Sequence, residues 1–193
     1  ASLLKNNGYD TACIGKWHVG LDWPMREGKA PLDESGKRNP WALVEWNKPQ
    51  KGSPLNLGFD YFFGLAGSNN MAPHCYIEND RVVKPPTKPK AYYYETEAHT
   101  PVSEDFRSEE IDQVEWKKAR AWLGRHFAES PEQPFFLYYP TSAIHVPCLA
   151  SEGFRGKSGS GLRGDKTLEL DDIVGRLLDE IKKYGQEENT IVV

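Results

Sequence analysis

The sequence predicts an α/β fold, a mostly parallel sheet flanked by helices, on three observations. Short apolar runs bounded by glycine or proline, at 11–14, 57–64 and 135–139, read as buried strands. Helical patterns stand over 108–129 and from Leu170 to Ile181. Strands and helices alternating at these separations argue for parallel strands with helices packed on them. A chain of 193 residues holds one sizeable core, hence one domain or a large part of one.

In chain order, Ala1 to Asn7 reads as the last turns of a helix, with Leu3 and Leu4 on one face and Gly8 as its C-cap. A helix already ending at the first residue suggests a sequence that begins inside a domain. The strand from Thr11 to Ile14 follows, and Gly15 opens a loop carrying Lys16 and His18. Side chains at i and i+2 point the same way in extended backbone, so these two should face one pocket while Trp17 turns away. Ligands of open α/β sheets bind at the carboxyl ends of strands, where this pair falls. A fixed positive charge beside a group that titrates near neutrality suits an oxyanion substrate needing proton transfer. The plain alternative is a surface lysine beside a hydrogen-bonded histidine.

From Leu21 to Leu57 prolines, glycines and charges dominate without a period, a long surface excursion carrying Trp23, Trp41 and Trp46. Those tryptophans either stack on sugar rings or pin the loop to the core. The aromatic strand at 57–64 leads into the small polar loop 65–70, which contains Ser68. Residues 76–77 and 81–83 suggest a hairpin turning at Asn79-Asp80, and 84–90 is proline-rich and extended. Ser108 is the expected N-cap of the next helix, with Ile111, Val114, Ala121 and Trp122 on its apolar side. The continuous apolar run 135–139 reads as a strand covered on both faces, and His145 lies in the loop beyond it. Residues 153–164 read as a mobile or ligand-ordered loop. Leu170, Val174, Leu177, Leu178 and Ile181 mark the last helix, closed at Tyr184-Gly185. Thr190 to Val193 begins another buried strand.

Composition narrows the function. The net charge of −4 with no basic block favours neither nucleic acid nor an anionic membrane as partner. No apolar run approaches the roughly 18 to 20 residues of a membrane span, and the N-terminal apolar stretch is too short for a signal peptide. Cys13, Cys75 and Cys148 show neither a disulfide framework nor metal-ligand spacing, which leaves the redox compartment open.

Gly8-Tyr9-x-Thr11-x-x-x-Gly15-Lys16-Trp17-His18-x-Gly20 resembles the second signature of the type I, formylglycine-dependent sulfatases. The resemblance continues in order through Leu57-Gly58-Phe59-Asp60, Pro134-Phe135-Phe136-Leu137-Tyr138, His145-x-Pro147 and Gly164-Asp165 with the helix from Glu169 to Gly175. It is nearest to arylsulfatases of the arylsulfatase A kind. It implies an alkaline phosphatase/sulfatase-like α/β/α sandwich, residues 1–193 forming part of a catalytic domain and 21–57 a loop insert. By resemblance, Lys16 contacts the sulfate and the formylglycine side chain. His18 hydrogen-bonds the formylglycine hydrate and accepts a proton. His145 binds sulfate and helps protonate the departing alcohol. Ser68 falls where relatives place a small hydroxyl near the sulfate. Asp171 and Asp172 diverge on a helix and read as cap and surface residues rather than metal ligands.

The departures shape the remaining expectations. The nucleophile of the family arises from a Cys or Ser followed by x-Pro-x-Arg, and no cysteine or serine here has that context. The acidic calcium-binding pair and the Asp-Asn-Gly segment of the family are also missing. Truncation accounts for this most simply: the middle of a sulfatase, inactive alone, with calcium and formylglycine contributed from outside these residues. The resemblance implies a sulfated small molecule or glycan as substrate and a periplasmic, secreted or lysosomal location. Two alternatives remain: a phosphonate or phosphodiester hydrolase of the same superfamily, and a non-catalytic carbohydrate-binding unit built on the tryptophan loop.

Overall fold

A computed structural model describes residues 1–32, 36–90 and 100–193, with only the backbone of residues 88–90. The elements in chain order are α1 (Ser2–Asn6), β1 (Asp10–Lys16), β2 (Tyr61–Leu65), β3 (Ile77–Glu78), β4 (Arg81–Val82), β5 (Lys88–Lys90), β6 (Thr100–Val102), α2 (Ile111–Glu129), β7 (Phe135–Tyr138) and α3 (Gly161–Lys183). The main sheet has the order β4-β3-β2-β1-β7. β1 pairs in parallel with β2 on one side and β7 on the other. The predicted hairpin, β3 and β4, adds two antiparallel strands beyond β2, so the sheet is mixed. β5 and β6 form a separate antiparallel pair.

Period-two alternation sorts the core into two layers. Ala12 and Ile14 of β1 pack against Trp116, Ala119, Trp122 and Leu123 of α2 and Ile173 of α3. Cys13 and Phe62 turn to the opposite face, where Trp17, Phe59 and Ile77 join them. Each large apolar side chain among these, such as Ile14, Leu123 or Phe62, contributes roughly 1.5–3 kcal/mol by leaving water. Both long helices lie on the first face. Leu21, Trp23 and Leu55, from the stretch after His18, help cover the second. In that stretch Trp23 stands 6.1 Å from Trp41 and 5.4 Å from Trp46, ring centroid to ring centroid. The three rings pack on one another, and Trp23 among them joins the apolar cluster on the second face.

The direction of the helices follows from their ends. Near its start α2 touches the loop after β7, where Asp112 accepts from the Ala143 N–H. Near its finish His126 Nδ1 lies 2.8 Å from Asp10, the first residue of β1. α2 therefore runs antiparallel to the three parallel strands. α3 runs beside it in the same sense, with Lys166 against Asp112 at one end and Tyr184 stacked on Phe127 at 4.4 Å at the other.

The Gly-Tyr-x-Thr and Gly-Phe-Asp segments set the register of β1 on β2. Thr11 Oγ1 donates to Asp60 Oδ2 at 2.8 Å, and the Asp60 N–H donates back to Thr11 Oγ1 at 3.0 Å. Partial burial alone would raise the Asp60 pKa, but hydrogen bonds from Lys5 and Thr11 outweigh it and hold the carboxyl below its ordinary value.

Several expectations need correction. Ser108 is no N-cap: it opens a 3-10 turn, Ser108–Glu110, which then runs into α2. Ala121 is exposed, because the buried stripe of α2 instead runs through Trp116, Ala119, Trp122, Leu123 and His126. β7 is only half-buried, lying at the edge of the sheet in this chain. The glycine-rich segment 153–164 is loop only up to Ser160, since α3 begins at Gly161. Val174 and Leu178 are 40% and 44% exposed, so the inner face of α3 is centred on Ile173 instead. Residues 190–193 form no strand: they pair with none of the described strands, and Ile191 is 91% exposed. No helix among the described residues is long and apolar enough to cross a membrane.

Gly15 marks the tightest approach to β1. Its φ is +131°, and a Cβ there would run into the Pro140 carbonyl, to which the Lys16 N–H donates at 2.8 Å. In the full-length protein, Gly15→Ala is expected to cost about 3 kcal/mol in urea denaturation. Gly175→Ala, on α3 with open space around it, should instead stabilise by about 0.5–1 kcal/mol. Equal midpoint shifts for both would show that the approach at Gly15 is not tight.

Candidate active site

Because β2, β1 and β7 are parallel, the loops that follow them emerge at one edge of the sheet. The backbone binds these loops to each other. The Lys16 N–H donates to the Pro140 carbonyl beyond β7, and the Trp17 and His18 N–H groups donate to Leu65 and Ala66 at the end of β2. Lys16, His18, Ser68 and His145 all stand on this edge.

Their surroundings differ. Lys16 is half-buried at the last position of β1. Trp17 turns into the core, where its Nε1 donates to the Gly20 carbonyl at 3.1 Å. His18 is exposed at φ +55°. The extended-backbone argument for Lys16 and His18 therefore stops one residue short, since β1 ends at Lys16 and His18 is left-handed. A non-glycine residue pays roughly 1–2 kcal/mol for that conformation. It is held there by its backbone bond to Ala66 and by a 3.2 Å hydrogen bond between His18 Nδ1 and Ser68 Oγ, whose direction follows the ring tautomer. Ser68 is buried, so the serine is the fixed member of this pair.

His145 is half-buried on the loop after β7. Its Nδ1 donates to the Val146 carbonyl at 2.8 Å. A carbonyl only accepts, so this bond fixes the tautomer and leaves Nε2 as the nitrogen available to a ligand. The loop is anchored at both ends in the helical layer. Ser142 Oγ donates to Glu115 Oε1 at 3.2 Å, and the Ala143 N–H donates to Asp112 Oδ1 at 3.0 Å. Further along, Ser151 Oγ donates to Glu169 Oε1 at 2.6 Å. Lys166 joins the two anchors, lying 2.6 Å from Asp112 Oδ2 and 2.9 Å from Glu169 Oε2.

All four ionisable members of this cluster, Asp112, Glu115, Lys166 and Glu169, are buried. Burial alone would lower the Lys166 pKa, but Asp112 and Glu169 outweigh it and hold the ammonium above its ordinary value. Burial likewise pushes Glu169 up, while bonds from Ser151, Gln113 and Lys166 hold it below the usual glutamate value. Glu115 goes the other way: burial first, then the Asp112 charge, raise it well above 4.5. Sequence reasoning missed this cluster, because an acidic residue in a first helical turn, as Asp112 is, already has a local explanation in the helix dipole. The available signal was spacing: Asp112 and Glu115 share a helical stripe with Ala119 and Trp122, and Lys166 and Glu169 share one with Ile173.

The cysteines offer no nucleophile. All three are buried. Burial and the nearby Glu115 push the Cys13 thiol up to about 12, and burial with Asp105 also raises Cys75. A cleft of about 550 Å³ opens at the opposite, amino-terminal edge of the strands, lined by Lys5, Tyr9, Asp10, Asp60 and Arg125 among others. Two of its charged pairs are engaged with each other or with α2, Lys5 with Asp60 at 2.6 Å and Asp10 with His126 at 2.8 Å.

The family model described as Sulfatase matches residues 1–193. The chain belongs to the sulfatase family. This sulfatase chain is 28% identical over 229 residues to an N-acetylgalactosamine-6-O-sulfatase of Bacteroides thetaiotaomicron, covering 100% of the chain and 41% of the relative. It is 29% identical over 197 residues to the N-acetylgalactosamine-6-sulfatase of Rattus norvegicus, covering 98% of the chain and 30% of the relative. The chain thus spans well under half the length of these relatives. A solved 6S-sulf structure from a Bacteroides thetaiotaomicron locus for metabolism of multiple glycosaminoglycans superposes with a TM-score of 0.73 at 24% identity, over 98% of this chain and 42% of that one. The PsFucS1 sulfatase from Pseudoalteromonas sp. gives 0.59 at 24% identity, over 96% and 34%. The sheet with its flanking helices is therefore the sulfatase fold.

The raised pKa of Glu115 has a defined pH signature. The folded state holds a proton that the unfolded chain releases above 4.5, so this group favours folding at low pH and loses that contribution as pH rises toward its folded value. Relative to Glu115→Gln in the full-length protein, the parent should lose up to about 1.4 kcal/mol per pH unit above that point. Calorimetric unfolding of both proteins from pH 4.5 upward measures the difference, and a pH-independent gap would show that Glu115 is ionised in the fold.

Proposed function

We propose that the full-length protein hydrolyses a sulfate monoester, with Lys16, His18 and His145 as its sulfate-binding and proton-transfer groups and Ser68 beside them. The observation that supports the reading is that the segments bearing these residues follow three parallel strands at the same edge, in a chain of the sulfatase family. The names of two relatives support 6-sulfated N-acetylgalactosamine in a glycan as the substrate class.

Lys16 supplies a compact positive charge for the sulfate oxygens, whose negative charge grows as the ester bond breaks. His145, with Nδ1 committed to Val146, acts through Nε2. In its protonated form it gives that proton to the bridging oxygen of the departing alcohol as the S–O bond cleaves. His18, in the tautomer whose Nδ1–H donates to Ser68 Oγ, keeps an unprotonated Nε2 for proton uptake.

No residue of this chain fits the formylglycine nucleophile of the family: neither context nor burial allows it at Cys13, Cys75 or Cys148. When present, that group supplies the attacking oxygen. The described residues contain no group of three or more His, Cys, Asp or Glu able to hold a metal ion. The calcium implied by the family therefore finds no ligand set among them, and no step is derived through it.

Lys16→Ala in the full-length protein should lower kcat/KM on an aryl sulfate by about 10²–10³-fold, the usual effect of losing one preorganised charge at a developing oxyanion. The same preparation should turn over a 6-sulfated N-acetylgalactosamine glycan. Faster hydrolysis of an aryl phosphodiester than of the aryl sulfate, or indifference to Lys16→Ala, would sink the reading.

A further inference from the structure

We propose that Asp112, Glu115, Lys166 and Glu169 are positioning residues for His145: a buried clamp that holds both ends of its loop to the helical layer. The inference rests on the reading of His145 as the acid for the leaving group.

The clamp has two jaws and a bridge. At the near end, two and three residues before His145, the Ala143 N–H and the Ser142 hydroxyl donate to Asp112 and Glu115 of α2. At the far end, six residues after it, Ser151 is held by Glu169 of α3 through both its N–H, at 3.2 Å, and its hydroxyl. Lys166, completely enclosed, contacts Asp112 and Glu169 together and so ties one jaw to the other. Gln113 donates to Glu169 at 2.7 Å and accepts from Arg176 at 3.1 Å, closing the network around the bridge. Between the jaws the loop is half-open, with Ile144 37% and Val146 36% exposed. A half-buried histidine on such a loop keeps its place only as well as the loop ends keep theirs. Buried charges in good geometry are directional and resist sliding, which apolar contacts alone do not. Among the described residues no hydrogen bond or ion pair joins these four to Lys16 or His18, so their effect on chemistry runs through His145.

The clamp predicts a specific kinetic signature. Displacing an acid matters most when the departing alcohol is poor, whereas a smaller folded fraction lowers every rate alike. In the full-length protein, Asp112→Ala should lower kcat on an alkyl or sugar sulfate by about 10- to 100-fold, the usual effect of a misplacement near 1 Å. It should lower kcat on 4-nitrophenyl sulfate by less than about threefold, with KM little changed on either. Asp112→Asn keeps an oxygen for the Ala143 N–H and should recover most of the loss. If Asp112→Ala does not fold, Ser142→Ala, which removes the other near tie, carries the same test. His145→Ala run in parallel separates the two claims. A leaving-group bias in His145→Ala without one in Asp112→Ala or Ser142→Ala overturns the clamp and leaves the acid role standing. No bias in His145→Ala overturns the acid role, and the clamp with it. Equal losses on both substrates in Asp112→Ala reduce the cluster to a structural one and also overturn the proposal.

Discussion

At Gly15 the backbone of β1 meets the Pro140 carbonyl, and a Cβ on Gly64 of β2 would run into Gly15 itself. With side chains at those two positions the three parallel strands would stand apart at their carboxyl ends, and the loops after them would no longer share a border. Everything placed at the edge depends on that spacing. The Lys16 N–H reaches Pro140, the next two N–H groups reach Leu65 and Ala66, and His18 comes within hydrogen-bonding distance of Ser68. The register clip at the other end, Thr11 with Asp60, holds β1 and β2 in the same alignment from below.

The helical layer meets this edge with charge rather than hydrocarbon. The contacts of α2 and α3 are ionic near Asp112, Lys166 and Glu169 and aromatic or aliphatic near Trp122, Phe127 and Tyr184. Burying an ion pair seldom gains stability over a well-packed apolar pair, while removing one partner costs about 3–5 kcal/mol. Such an arrangement is better explained by what it fixes in place than by what it adds to stability. Here it fixes the loop of His145.

Much of this was legible in the sequence, and the failures have physical causes. β1, β2 and the hairpin announce themselves because alternation, glycine brackets and Asn79-Asp80 are local signals. The edge occupied by Lys16, His18, Ser68 and His145 follows from strand direction alone once the strands are known. The left-handed turn at His18 was invisible, because no residue type in Lys16-Trp17-His18 demands it and tertiary bonds to Ala66 and Ser68 impose it. The buried cluster was hidden for the opposite reason: acidic residues early in a helix already have a local explanation in the dipole, so Asp112 asked for no other. Val174 and Leu178 misled because apolar spacing marks a stripe without saying which side of it meets the core.

The pairing of β1 also governs the order in which this chain can take shape. Its partner on one side begins at Tyr61, and its partner on the other at Phe135, on the order of a hundred residues later. At synthesis rates of roughly 5–20 residues per second, β1 waits several seconds for the second of these two neighbours. Meanwhile Trp23, Trp41 and Trp46, close by in sequence, can find one another and, through Trp23, the face of β1 that carries Cys13. The tryptophan segment can gather around the nascent strand and shield one face of it while the other edge is still open. In the finished molecule Trp23 is part of the cover on the sheet; in the order of synthesis it is available to the strand that bears Lys16 before β2 or β7 is made.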